Sequence, residues 1–153
     1  MVSISASHIY TFAAITAVTT LLMFSFVAYA NTLRVIPEMS KLKKLLRYVA
    51  SKATELLTLS SSTNVTLEIY LEMPVTIGNR EYWVQLRNDS SNAWVEGGFG
   101  KLPNVSSGSR VYFPQKAHAS GHYISGNGAL IIRCWMDNTL PSIILNGSGG
   151  QER

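Results

Sequence analysis

The sequence predicts an α+β protein: a long N-terminal helix, apolar and then amphipathic, followed by a small antiparallel, sandwich-like β domain. Three observations carry this. Residues Ile9 to Ala30 form a run without a single charged side chain. From Met39 onward, the apolar positions Leu42, Leu46, Val49, Ala53 and Leu56 recur at alternating steps of three and four, which marks one face of a helix. After Asn64 the period drops to two, as strands require. The expected division is a transmembrane and assembly helix over residues 1–62, a β domain over 63–146 and a disordered tail over 147–153.

The apolar run of about 22 residues would reach roughly 33 Å as a helix, enough to cross the hydrocarbon core of a bilayer. A β domain this small has no room to bury a helix that is apolar all round. Thr11, Thr16, Thr19, Thr20 and Ser25 interrupt the run, but hydroxyls can bond back to their own backbone and are tolerated in lipid. Ala13 and Ala17, and likewise Thr16 and Thr20, stand four apart, a spacing of small residues that lets another helix approach. A cleaved signal peptide would begin with a basic segment, and Met1 to His8 has none. The sequence Ala28-Tyr29-Ala30 fits a cleavage site, yet the run is long for a signal, so a retained helix is expected.

Pro37 disfavours helical backbone at Ile36. It predicts either a kink there or the first position of a second helix, where its missing N–H costs nothing. The amphipathic stretch should end in Ser60 to Asn64, which has turn chemistry and little helix propensity. In the stretch Val65 to Glu72, apolar and polar residues alternate, predicting the first strand. Pro74 and Gly78-Asn79 mark a turn, and strands are expected over 81–87, 93–99, 110–113, 129–136 and 142–145. Gly97, Gly98 and Gly100 read as a bulge or strand end. Residues 114–128, with Pro114, Gly121, Gly126 and Gly128, read as loop.

Charged residues make up 14% of the chain and the formal net charge is +4. Much of the excess is local: Arg34, Lys41, Lys43, Lys44, Arg47 and Lys52 follow directly on the apolar run. A cluster in that position is expected to face phospholipid headgroups or neighbouring subunits, and no nucleic-acid partner is expected. The single cysteine, Cys134, excludes an intrachain disulfide and sits in the apolar segment ALIIRCWM as a buried small hydrophobe. His118 and His122 would share one side of a helix, but AHASGHY reads as loop and offers no third ligand. Glu68 and Glu72 share a strand face, as alternation requires. No Ser/His/Asp constellation is legible, so no enzymatic activity, cofactor or metal is expected. Trp83, Trp94 and Tyr112 are candidates for sugar contacts, core or subunit contacts.

Asn64, Asn88, Asn104 and Asn146 each begin an N-x-S/T sequon and are the candidate N-glycosylation sites. They argue for a β domain outside the cytoplasm. The cations after the apolar run argue the opposite by the positive-inside rule. The sequons, the Ser/Thr/Asn-rich surface and the sparse charge favour the outside.

An N-terminal apolar helix that runs into an amphipathic helix and then a small β domain resembles the type IV pilin superfamily. It looks most like the archaeal branch of pilins, archaellins and single-span archaellum accessory proteins. LEMPVTIGNREYWVQL (71–86) and SGNGALII (125–132) are similar to stretches in archaeal pilin-like proteins. Two features depart from the pattern: no Lys or Arg precedes the apolar run, and the early helix glutamate of bacterial pilins is absent. The resemblance implies a structural, non-enzymatic subunit of a cell-surface filament or of its membrane-anchored base. Such a subunit would self-associate and contact lipid through the helix, with Leu42, Leu46, Val49, Ala53 and Leu56 continuing the assembly seam and a glycosylated β domain facing outward. The other reading is a single-pass, membrane-anchored β module that captures envelope glycan or protein.

Overall fold

In the computed structural model, which describes residues 2–100, 108–137 and 140–149, one α-helix is followed by seven strands. Helix α1 spans Val2–Thr63. The strands are β1 (Leu67–Leu71), β2 (Tyr82–Asn88), β3 (Ala93–Phe99), β4 (Ser109–Tyr112), β5 (His118–Ile124), β6 (Leu130–Asp137) and β7 (Leu140–Gly147). The expected α+β architecture is what the chain forms.

The chain divides into two compact units, Met1–Met39 and Ser40–Arg153. The boundary therefore falls inside α1, and the amphipathic half of the helix belongs with the sheet rather than with the apolar half. Helical backbone continues through Pro37. No separate second helix begins at Pro37; its ring removes the N–H that would have reached the carbonyl of Leu33 and crowds that carbonyl, which is how a proline kinks a helix without ending it.

In the first unit, every described side chain from Ser7 to Leu33 is exposed. Its hydroxyls bond back as anticipated: Thr11, Thr16, Thr19 and Thr20 donate to the carbonyls of Ser7, Phe12, Ile15 and Thr16 at 2.7–2.8 Å. Each of these four hydroxyls is thereby satisfied within the helix, the condition for residence in lipid.

In the second unit, the strands lie side by side in the order β1-β6-β7-β5-β2-β3-β4. All pairs are antiparallel except β5–β7, which is parallel. β5 is the hinge of this arrangement: His118–Gly121 pairs with β7 and His122–Ile124 with β2. Gly121 stands at the changeover with φ +100°, and a Cβ there would collide with the carbonyl of Leu145. Glycine is thus required for conformation and for space alike. Within the 114–128 segment, expected to be loop throughout, His118–Ile124 is a strand and the flanking residues stay irregular. Ala119 and Tyr123 are buried while His118, Ser120 and His122 are exposed, an alternation that two small residues and a glycine conceal in the sequence.

The seam residues Leu42, Leu46, Val49 and Ala53 are fully buried, and Leu56 nearly so. Leu57 and Ser60 extend the same face. Opposite them lies the inner side of the sheet, with Tyr82, Val84, Leu86, Val95, Tyr123, Leu130, Ile132, Cys134, Ile143 and Leu145 buried. Leu46 packs directly on the backbone of Gly97: a Cβ there would come within 2.8 Å of its Cδ2. Gly98 serves the other side, where the Trp83 indole would lie 3.0 Å from an added Cβ. The glycines expected to end β3 instead sit inside it, one per face, each admitting a large side chain.

This overturns one expectation. The Leu42–Leu56 seam is the chain's own core and has no free surface to offer a neighbouring subunit. Periodicity shows which helix face is buried but not what buries it. The helix closes at Thr63 with Asn64 left-handed (φ 53°), its N–H donating to Ser60 O at 2.9 Å. Ser60 Oγ donates in turn to Val65 O at 3.1 Å, so the last turn is capped by the chain that leaves it.

Candidate functional site

Two surfaces stand out. The first is the apolar half of α1, where the large hydrophobic side chains from Ile9 to Leu33 are each 52–77% exposed. The helix is long and apolar enough to cross a membrane. On the side carrying Thr16, Thr19 and Thr20, a shallow groove is walled by Ile15, Met23, Phe24 and Val27, because the hydroxyl side chains are short and turned back onto the backbone. This is the small-residue face read from Thr16 and Thr20.

The second is the outer face of the sheet, turned away from the seam. Cross-strand register places Gln85 of β2 beside Glu96 of β3, Glu96 beside Arg110 of β4, and Arg87 beside Trp94, which in turn pairs with Tyr112. The Glu96 side chain is 2% exposed. Arg87 Nε lies 2.9 Å from its Oε1, a close ion pair without hydrogen-bond alignment. Arg110 Nε donates to its Oε2 at 3.1 Å and Trp94 Nε1 at 3.2 Å. The Arg110 guanidinium also lies 5.5 Å over the Trp94 ring, and Tyr112 sits 5.7 Å from Trp94 at a tilt of 50°. A buried carboxylate held by two half-exposed arginines meets the condition under which burying a charge is tolerated. Gln85 Oε1, next to it, is buried with no hydrogen-bond donor among the described residues. Tyr112 is 57% exposed, whereas Trp83, on the same face, is buried against Gly98. Of the three aromatics considered as contacts, Trp83 is therefore core, and Trp94 and Tyr112 form a partly exposed platform.

The Glu96 cluster was not legible beforehand. Alternation places Glu96 opposite Val95, but Arg87 and Arg110 become its neighbours only once register is known.

The remaining candidates separate. His118 and His122 lie on strand β5, both exposed. Four residues along a strand span about 13 Å, too far for one ion to bind both. Among the described residues there is no group of three or more His, Cys, Asp or Glu able to hold a metal. Glu68 lies on β1, where Arg133 Nε donates to it at 2.7 Å. A hydrogen bond from Tyr70 and then that from Arg133 hold its carboxyl below the usual range. Glu72 falls beyond the end of β1 and is exposed. Cys134 is buried on the inner face and burial pushes its thiol up to about 12, the opposite of a reactive cysteine. Of the sequon asparagines, Asn64, Asn88 and Asn146 are exposed, although Asn88 Oδ1 accepts the Ala119 N–H at 3.3 Å. Asn104 and the tail from residue 150 lie outside the described residues.

Compared with known protein families, curated proteins and solved structures, the chain matches none.

Proposed function

We propose that the chain is a non-enzymatic structural subunit of a cell-surface filament, pilin-like, or of that filament's membrane-anchored base. It assembles through the apolar half of α1 and carries its β domain outward. The observation that carries this reading is the single helix from Val2 to Thr63. Its first half exposes apolar side chains on every side, and its second half is the core of the folded domain. An apolar surface that suits lipid suits identical helices equally well, so a subunit can leave the membrane for a filament without exposing that surface to water. The groove at Thr16 and Thr20 allows close helix approach. The seam Leu42–Leu56 plays no part in assembly; its task is to hold the sheet on the helix. The sequons at Asn64, Asn88 and Asn146, exposed at strand and helix ends, support the outward orientation and a glycosylated surface.

One observation favours a second reading, a membrane-anchored binding module. Tyr112 and Trp94, with Arg110 across the ring, form a partly exposed aromatic surface of the kind that contacts sugars or protein partners. Negative-stain electron microscopy of material sheared from producing cells separates the two. Filaments that carry this chain are expected. Their absence under every growth condition, with the chain retained in the membrane fraction, would favour the binding module.

A further inference from the structure

The second unit has a further surface, on its helix, that the proposed function leaves unused. Successive helix positions turn by about 100°, so Lys44, Arg47, Tyr48 and Ser51 lie opposite the buried Leu42–Ala53 seam, with Lys41 and Lys43 flanking them. All six side chains are exposed. Among the described residues, Lys41, Lys43, Lys44 and Arg47 have no acidic partner, and the cation one turn further on, Lys52, is held by Glu55 at 2.8 Å. The four unpaired cations thus occupy the end of this helical segment nearest the apolar run. The chain fixes how far they can be from it. Ile36 is the last exposed large hydrophobic before them. Lys41 follows it by five residues and Arg47 by eleven, at most about 8 and 16 Å along a helix. The first is within one Debye length of a membrane surface and the last within about two. Tyr48, half exposed among the cations, has the amphipathic ring found at headgroup level.

We infer that this face of α1, formed by Lys41, Lys43, Lys44, Arg47 and Tyr48, docks on anionic phospholipid headgroups. The inference rests on the membrane-spanning reading of the apolar run. Four cations in this position concentrate anionic lipid around the helix where it leaves the bilayer, because each gains Coulomb energy from the headgroup layer without giving up an internal partner. This gives the cations a task compatible with an outward β domain, for they then report lipid contact and not the cytoplasmic side.

The test uses the full chain reconstituted in phosphatidylcholine bilayers that carry a trace of spin-labelled phosphatidylglycerol or spin-labelled phosphatidylcholine. Electron paramagnetic resonance reads the motionally restricted fraction of each. At about 0.1 M salt the anionic label is expected to be enriched around the chain about twofold or more over the neutral one. The enrichment should vanish in the variant with Lys41→Gln, Lys43→Gln, Lys44→Gln and Arg47→Gln, and persist with Lys116→Gln, a change at an exposed cation between β4 and β5, off the helix. Raising salt to about 1 M, where the Debye length falls to about 3 Å, should abolish it in the unmodified chain, which needs no variant to fold. Equal restriction of both lipids at low salt, with the chain in the bilayer, overturns the inference and leaves the membrane-spanning reading standing. Enrichment that survives the four substitutions overturns the assignment to this face. Loss of the preference on adding excess glycerol phosphate would assign the face to free phosphate instead of lipid. Failure of the chain to enter bilayers at all overturns both readings.

Discussion

Replacing Leu46 by alanine tests whether the helical seam is internal to the chain. Leu46 is fully buried and its Cδ atoms rest on the backbone of Gly97. Strand backbone cannot move in to fill the space, so the loss includes a cavity as well as transfer free energy, about 3–4 kcal/mol within the usual range of about 2–5. For a folded unit of this size that lowers the melting temperature by roughly 10–15 °C. The assay is thermal unfolding of the detergent-solubilised, monomeric chain followed by tryptophan fluorescence, since Trp83, Trp94 and Trp135 all lie in strands. Lys44→Ala, on the exposed side of the same helix, should stay within about 0.5 kcal/mol of the parent. A double-mutant cycle sharpens the test. Gly97→Ala places a Cβ 2.8 Å from both Leu46 Cδ2 and the Trp83 carbonyl. It should destabilise the parent, and by less once Leu46→Ala has removed one of those clashes. The coupling should be about 0.5–3 kcal/mol. Refutation would be an unchanged monomer melt for Leu46→Ala together with weakened self-association, for then the seam would belong between subunits.

Other outcomes follow from the sheet. Gly121→Ala should cost more than about 2 kcal/mol in urea unfolding, because it combines a left-handed φ with a clash against the Leu145 carbonyl; a neutral effect would show that β5 can change partners without this joint. Glu96→Gln leaves Arg87 and Arg110 facing a neutral group and should cost about 1–3 kcal/mol, tempered by the half-exposure of the arginines. Arg110→Gln, which leaves Arg87 in place, should cost less, and the reverse order would contradict the geometry. Cys134 should resist alkylation at about pH 8 in the folded chain and react at once in denaturant. Its folded value, about 12, lies above its ordinary value of 9. The thiol is neutral in both states below 9, and only the unfolded chain ionises between 9 and 12. Stability should therefore fall as pH rises through that window, the Tyr82 hydroxyl, raised by burial, acting in the same direction. A urea midpoint that rises with alkali would contradict both assignments.

Much of the architecture was legible because each half of the chain has one dominant period. The uncharged run fixed the exposed helix, the steps of three and four from Met39 fixed the buried face, and Val65 to Glu72 together with AWVEGGF announced β1 and β3. What stayed hidden was relational. The seam could be read as apolar, but only the sheet arriving some fifty residues later shows that Gly97 receives Leu46. β5 was missed because Ala119, Ser120 and Gly121 have weak strand preference and its burial depends on partners remote in sequence, β2 and β7. The His118 and His122 pair looked like half a metal site only while its backbone was unknown; strand geometry sets the rings apart. The Glu96 cluster needed the β2–β3–β4 register, which no local pattern encodes.

In the proposed assembly, chains meet through the apolar half of α1 and not through the seam. Cysteine cross-linking in the membranes of producing cells tests it directly, with single substitutions across residues 9–30 and at Leu42, Val49 and Ala53, and with Cys134 left in place as a buried, unreactive thiol. Disulfide-linked dimers are expected at positions such as Ala17→Cys and Thr20→Cys, recurring every three to four residues, and none at Val49→Cys. Cross-linking at Val49, or monomers throughout residues 9–30, would contradict it.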